Sequence, residues 1–297
     1  MREPLPNHPA MSLSVLILTK NEEQDLPGCL QSVAWCDDVH LFDSFSTDRT
    51  LEIARTAGCI ITQRTFDNWS AHQNWGLANI PFKHPWVLYI DADERVSPEL
   101  KAAAVAAARA DASESAFRLR RRDFFTDGTW LEHAQISPFY LRLFRPSKMR
   151  YERLVNPVSI VDGPIGEIGG YLDHYPFSKG AGFWLERHIK YADLEARTIQ
   201  ENRAKGGAFS LRKALFSKEF TERRFHQKEF FYRMPGRPLV KFFYMMFVRL
   251  AFLDGRAGVT YATLQSIYEY FIILKQRELQ ARSRVPTPAD QSTPHTN

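Results

Sequence analysis

Four apolar runs, residues 12–19, 38–43, 59–63 and 86–90, recur along the first part of this chain, and a stretch with helical spacing follows each of the first three. Leu26, Leu30 and Val33 mark the first such stretch, residues 49–57 closed by Gly58 the second, and residues 70–78 the third. Strands buried in parallel sheets read as near-continuous Val, Ile and Leu runs, and a parallel neighbour is reached only through a crossover, usually a helix. Strand–helix alternation with short connections therefore predicts an α/β fold, a Rossmann-like and mostly parallel sheet with helices on both faces.

The rhythm changes after residue 110. An alanine-rich helix is expected over 98–110, with Ser97 as N-cap and Pro98 at the first helical position, directly after the acidic residues that end the fourth strand. Shorter strands follow at 116–122, 140–144, 155–161 and 168–172, and from Trp184 onward the pattern is mainly helical. The expected division is a flexible stretch over 1–11, a sheet domain over 12–196, a basic amphipathic helical region over 197–284 and a disordered tail over 285–297.

Charge separates these parts. The formal net charge is only +5, yet residues 200–284 carry about seventeen Lys or Arg against about seven Asp or Glu. Such asymmetry points to an anionic partner. Cys29, Cys36 and Cys59 are odd in number and lack metal-ligand spacing, as expected of reduced thiols in the cytoplasm. Residues 1–10 have no apolar core like that of a signal peptide, and Met11 is an alternative start. No apolar run reaches the roughly 20 residues a spanning helix needs.

The chemistry is written at the strand ends. In open α/β sheets ligands bind outside the carboxyl ends of the strands. The first strand ends in Thr19-Lys20-Asn21-Glu22, the second in Asp43, and the fourth in Asp91-Ala92-Asp93. Asp43 is expected to be available to a ribose or base, because Ser46, Thr47 and Asp48 already supply helix caps. Two carboxylates one residue apart suit a hard divalent cation, Mg²⁺ or Mn²⁺, which in turn holds a diphosphate.

Residues 14–23, 42–50, Gln73-Asn74-Trp75-Gly76 and Tyr89-Ile90-Asp91-Ala92-Asp93-Glu94 together resemble the family 2 glycosyltransferases, and within them the lipopolysaccharide-core β-1,4-glucosyltransferases. The resemblance covers roughly residues 12–196 and implies a GT-A fold and an inverting transfer. It implies that Thr19, Asn21 and Glu22 line the nucleotide pocket and that Asp43 binds the base or ribose. Asn74 would lie beside the ribose, and Asp91 and Asp93 would hold the nucleotide and the metal. His174, in Asp173-His174-Tyr175-Pro176, is either a further metal or phosphate ligand or a structural hydrogen-bonding residue. Residues 141–145 also match the family.

Many relatives carry Val-His-Glu about seventeen residues before that histidine, where this chain reads Val155-Asn156-Pro157. An inverting transfer needs a base within reach of the acceptor hydroxyl. With a proline where the carboxylate is expected, Glu152, Asp162, Asp127 and Glu132 (beside His133) are the candidates nearby in sequence. Lys179, Arg187 and His188 either bind acceptor or phosphate or belong to a solvated helix start.

Two apolar runs, 239–253 and 259–274, predict a hairpin of amphipathic helices turning at 254–258. Basic residues from Arg223 to Lys241 interleave there with Phe and Tyr, a composition suited to an anionic bilayer surface; no nucleic-acid motif accompanies it. The expectation is a hexosyltransferase taking glucose from UDP-glucose to a glycan or lipid-linked acceptor, as in lipopolysaccharide or other envelope polysaccharide synthesis. It would be peripheral on the inner face of the cytoplasmic membrane. The alternatives are a catalytically degenerate membrane-associated scaffold and a sugar nucleotidyltransferase. The latter is disfavoured because residues 20–23 form an acidic, glycine-free loop where a basic, glycine-rich one is needed.

Overall fold

The computed structural model of the protein describes residues 12–110, 113–137, 139–152, 158–204 and 209–282. The expectations for 1–11, for 285–297 and for Val155-Asn156-Pro157 lie outside the described residues. The chain forms two compact units, one running to Trp130 and resuming over Ile136–Lys179, the other made of Leu131–Gln135 and the residues from Gly180 onward. The division falls at Lys179, earlier than the expected end of the sheet domain at Ala196.

The first unit has the expected α/β architecture. Its strands β1 (Leu13–Thr19), β2 (Val39–Asp43), β3 (Ile60–Gln63) and β4 (Trp86–Asp91) are all parallel, with helices α1 (Leu26–Val33), α2 (Thr50–Thr56) and α3 (Trp69–Asn79) as the crossovers. The chain winds from β1 outward to β3 and returns to place β4 on the other side of β1. That reversal opens a crevice at the carboxyl ends of β1 and β4. Gly58, at φ +76, closes α2 as expected.

The remaining strands, β5 (Glu94–Val96), β6 (Ala116–Asp123), β7 (Phe139–Phe144) and β10 (Ile165–His174), complete an eight-stranded mixed sheet in the order β3-β2-β1-β4-β7-β6-β10-β5. A separate hairpin pairs β8 (Met149–Glu152) with β9 (Val158–Val161). Strands β5 and β8 have no counterpart in the sequence reading. β5 separates the acidic pair from helix α4 (Pro98–Arg109), which the sequence had placed directly after it. The predicted cap is present: Ser97 Oγ accepts from Leu100 N at 3.2 Å.

Two apolar layers sandwich the sheet. Leu13, Val15, Ile17, Leu88, Ile90 and Leu100 centre one; Leu16, Phe42, Val87, Tyr89, Phe144 and Tyr151 centre the other. A bulge lets β10 follow β6 past α4. Gly170 lies there at φ +84, and a Cβ on it would come within 2.3 Å of Leu100 N.

The second unit is helical, with α5 (Gly180–Ala204), α6 (Leu211–Phe216), α7 (Phe220–Arg233), α8 (Arg237–Phe243) and α9 (Gly255–Arg282). Ala192, Ile199 and Ile272 form its apolar centre, with Tyr232, Tyr268 and Phe271 against them. The expected hairpin is corrected. α8 passes into a π-helical turn over Tyr244–Val248, the chain reverses at Leu250 (φ +58), and a 3-10 turn over Ala251–Asp254 leads into α9. The bend therefore precedes 254–258, because Leu250 takes the left-handed conformation that ends the first helix.

Candidate active site

The loops after β1 and β2 are tied together by hydrogen bonds across about 25 residues of sequence. Lys20 Nζ donates to Ser44 O at 2.7 Å, Ser46 Oγ accepts from Asn21 N at 2.8 Å, and Asn21 Oδ1 accepts from Thr47 N at 2.8 Å. Asn21 itself is left-handed at φ +56, a conformation its short amide tolerates. Thr50 Oγ1 accepts from Glu22 N at 2.7 Å. The rim of the crevice is thus built before any ligand arrives.

Asp43 holds this rim and is not free, contrary to the sequence reading. It is fully buried, and its two oxygens accept from Thr19 Oγ1 at 3.0 Å, Ser46 N at 2.9 Å, Ser46 Oγ at 2.5 Å and Gln63 Nε2 at 2.9 Å. Thr19 is committed to the same carboxylate. Asn74 is also spent elsewhere. Its Nδ2 donates to Tyr151 O and its Oδ1 accepts from Tyr151 N, both at 2.8 Å, so the amide clamps β8 to α3 where a ribose contact was expected. Removing it leaves a partly buried N–H and C=O unpaired, at about 1–3 kcal/mol. Asn74→Ala should therefore lower the urea midpoint while leaving UDP affinity unchanged; a tenfold weaker UDP Kd at unchanged stability would contradict this assignment.

Glu22 faces inward from the same rim, with its carboxylate 2.8 Å from Lys179 Nζ; that lysine also donates to Asn21 O at 2.8 Å. Burial pushes the Glu22 carboxyl up to about 7; Lys179 opposes the rise, and Asp93 and Asp25 add to it. A carboxyl whose folded pKa exceeds its unfolded one favours the folded state fully below about 4.5 and ceases to as pH rises through about 7. With a chelator present, stability should fall between pH 5 and 8 by on the order of 2 kcal/mol on this account. Glu22→Gln should flatten that decline in urea titrations, and an unchanged slope would refute it.

The acidic pair is split between two environments. Asp91 Oδ1 accepts from Tyr89 OH at 2.9 Å and Oδ2 from Arg142 Nη2 at 2.8 Å. Asp93 Oδ2 instead lies 3.3 Å from His174 Nε2, whose other ring nitrogen bonds Asp123. Sheet register brings these side chains to one level, since His174 is opposite Glu94 on β5 and Asp123 on β6. Burial lowers the His174 pKa, but hydrogen bonds to Asp123 and Asp93 outweigh it and push it up to about 9.

Between the two halves runs a buried chain of charges that the sequence reading missed. Glu94, fully buried, accepts from Asp91 N at 2.9 Å and from Arg142 Nη2 at 3.0 Å, and lies 3.7 Å from Arg121 Nη1. Arg121 Nη2 is 3.3 Å from Asp123. Arg142 lies over the Tyr89 ring at 4.3 Å, and Arg121 over Tyr140 at 4.6 Å. Burial pushes the Glu94 carboxyl up against the pull of Arg142. The order is Asp91, Arg142, Glu94, Arg121, Asp123, His174, Asp93. One signal was available: Arg142 interrupts an otherwise apolar strand.

Among the described residues no three His, Cys, Asp or Glu converge on a metal position. Asp93 and His174 nevertheless fit a divalent cation as a two-donor half-site, which the cation would occupy in place of the Nε2 proton the ring shares with Asp93. A ligating histidine ordinarily donates its second ring nitrogen to a carboxylate, the relation His174 has with Asp123. A diphosphate and water would complete such a shell. Asp91, with an oxygen on Arg142 and the other on Tyr89, is less suited to it.

The base candidates also separate. Asp162 accepts from Lys148 Nζ at 2.7 Å, and the chain just beyond it, at Pro164 O, accepts from Ser115 N at 2.8 Å. Ser115 precedes β6, whose far end carries Asp123, so Asp162 lies about a strand length, roughly 25 Å, from His174. It cannot be the base. Asp127 is exposed and accepts from Thr129 N at 3.0 Å, which holds its carboxyl below the usual range and makes it a weak base. Glu152 is exposed beside Arg150, on the face of β8 opposite the buried Tyr151. Glu132 is exposed within the segment Leu131–Gln135 of the helical unit. His188 stacks on Trp184 at 3.4 Å, and burial pushes its pKa down to about 4, the state of a packed neutral ring.

Several known proteins are similar to this chain. An uncharacterised glycosyltransferase of Rickettsia typhi is 36% identical over 90 residues, 30% of each chain, so the match spans about a third of that relative. A lipopolysaccharide core biosynthesis glycosyltransferase of Rhizobium meliloti is 27% identical over 196 residues, 63% of this chain and 72% of the relative. Among solved structures, the glucosyl-3-phosphoglycerate synthase of Mycobacterium tuberculosis, in complex with Mn²⁺, UDP and glucosyl-3-phosphoglycerate, matches at TM-score 0.32 and 19% identity over 37% of this chain and 43% of that one. The family model described as glycosyl transferase family 2 matches residues 14–163, half of the chain and nearly all of the sheet that carries the acidic pair. The chain belongs to glycosyl transferase family 2.

Proposed function

We propose that this protein moves a hexosyl group, glucose from UDP-glucose, onto a hydroxyl of a lipid-linked or lipopolysaccharide glycan with inversion. The observation that carries the reading is the juxtaposition of Asp93, His174 and Asp123 at the carboxyl ends of the strands beside the β1–β4 crevice. The crevice rim formed by residues 19–22 and 44–47 borders the nucleoside. Asp93 and His174 hold Mn²⁺ or Mg²⁺, which would offset charge on the departing diphosphate. Arg142 fixes Asp91 through its hydrogen bond, and Asp123 fixes the ring of His174.

In the transfer, the acceptor oxygen bonds to the anomeric carbon as the bond to the UDP oxygen breaks. The acceptor proton passes to a carboxylate, for which Glu152 and Glu132 are the candidates. Supporting an envelope role are the similarity to the Rhizobium meliloti enzyme and the basic, aromatic helical unit, for which we propose a peripheral place at the anionic inner face of the cytoplasmic membrane. The test is release of UDP from UDP-glucose with Mn²⁺ present, in wild type, Glu152→Gln and Glu132→Gln. One glutamine variant should lose at least a hundredfold in kcat with UDP binding intact; full activity in both would remove these carboxylates from the mechanism. Absence of UDP release with any nucleotide sugar would favour the scaffold alternative.

A further inference from the structure

The bend between α8 and α9 exposes an unusual density of apolar side chains. Leu239 is 64% exposed, Phe243 53%, Phe247 65%, Val248 67%, Phe252 46% and Leu253 55%. They do not line one regular helix face. The π-helical turn, the reversal at Leu250 and the 3-10 turn fan them outward around an elbow over residues 239–259. Exposed apolar groups of this extent mark a surface that meets another phase or partner.

Charge says which. The elbow contains one carboxylate, Asp254, and it is turned inward, 8% exposed. It accepts from His133 N at 3.0 Å and Ala134 N at 2.7 Å, and pairs with His133 Nδ1 at 2.7 Å. Of the elbow's basic groups, Arg256 is exposed, while Lys241 and Arg249 are half-buried. Apolar rings and branched chains at a tip, an exposed arginine at its edge and no outward acid match the acyl and headgroup layers of an anionic bilayer. No described helix is long and apolar enough to cross a membrane.

We infer that residues 239–259 form a wedge that inserts into the interfacial layer of an anionic membrane. This rests on the membrane reading above and deepens it: insertion at the elbow holds the protein, with the basic aromatic stretch 223–241 in a supporting part. Asp254 and Arg249, whose Nη2 donates to His133 O at 2.9 Å, also tie the elbow to the segment bearing Glu132 and His133. Insertion therefore brings that segment to the surface where a lipid-linked acceptor resides.

The test uses the full chain with vesicles of 30% phosphatidylglycerol in phosphatidylcholine. Wild type should co-float, with slowed amide exchange concentrated in 239–259, and Phe247→Glu/Phe252→Glu should lower the bound fraction at least tenfold. Both side chains are exposed, so the double variant should keep its thermal midpoint and its release of UDP from UDP-glucose in solution. If wild type floats and the double variant floats equally, the wedge is wrong while membrane binding stands. If wild type does not float, membrane binding fails and the wedge with it. Lipid-free self-association abolished by the double variant would make the patch a protein interface and overturn the inference.

Discussion

Arg142→Met should destabilise the sheet unit by about 3–5 kcal/mol, the usual cost of removing one partner from a buried ion pair. Arg142 is 6% exposed and supplies the nearest cation to both Glu94, which is fully buried, and Asp91. Methionine would fill much of the volume but leave a carboxylate in the interior with Arg121 at 3.7 Å as its remaining cation. For a unit of this size the loss corresponds to roughly 6–20 °C in Tm. The sign of its pH dependence is fixed. Without Arg142 the Glu94 carboxyl rises further above its unfolded value, so the folded state keeps its stability at low pH and loses it as pH climbs. The variant should thus be closer to wild type at pH 5 than at pH 8. Adding Glu94→Leu should recover part of the loss, and strict additivity of the two substitutions would show that the pair does not act as a unit.

Asp93→Ala should reduce kcat for sugar transfer by about 10²–10³-fold, a typical cost of deleting one group that stabilises transition-state charge. Asp93 is the carboxylate of the pair that faces His174. Its loss leaves His174 with Asp123 alone and removes one of the two proposed cation donors. Asp123→Asn should act more mildly, about 10–100-fold in cation affinity, because it changes only what orients the ring. Because Asp93 also pairs with His174, the unfolding midpoint of Asp93→Ala is measured alongside, and kcat is compared at temperatures where the variant is folded. Equal kcat in wild type and Asp93→Ala would exclude the acidic pair from the chemistry.

The parallel half of the sheet was readable because each of its strands is a short apolar run closed by polar residues, a pattern that survives without tertiary information. Ser97 and Gly58 were likewise readable, since a cap is a local event. What escaped was set by partners distant in sequence. The fate of Asp43 depends on Thr19 and Gln63, each 20 or more residues away. Asn74 is decided by Tyr151, 77 residues on. Local spacing marked both as polar groups near strand ends, where a ligand and a structural bond look the same. The Glu94–Arg142–Arg121–Asp123 chain is a product of register among β5, β6, β7 and β10, and single strands do not reveal register. In the helical unit the apolar runs were visible, but the elbow follows from Leu250 leaving the helical region, which composition does not announce.

The crevice at the carboxyl ends of β1 and β4 is proposed to bind a nucleoside diphosphate together with a divalent cation held by Asp93 and His174. Calorimetric titration of UDP into the wild-type protein, with Mn²⁺ and again with a chelator, measures this directly. Binding should be seen with Mn²⁺, weaken at least tenfold in the chelator, and weaken equally in Asp93→Ala with Mn²⁺ restored. No heat of UDP binding with Mn²⁺ present, or equal affinity in all three conditions, would contradict it.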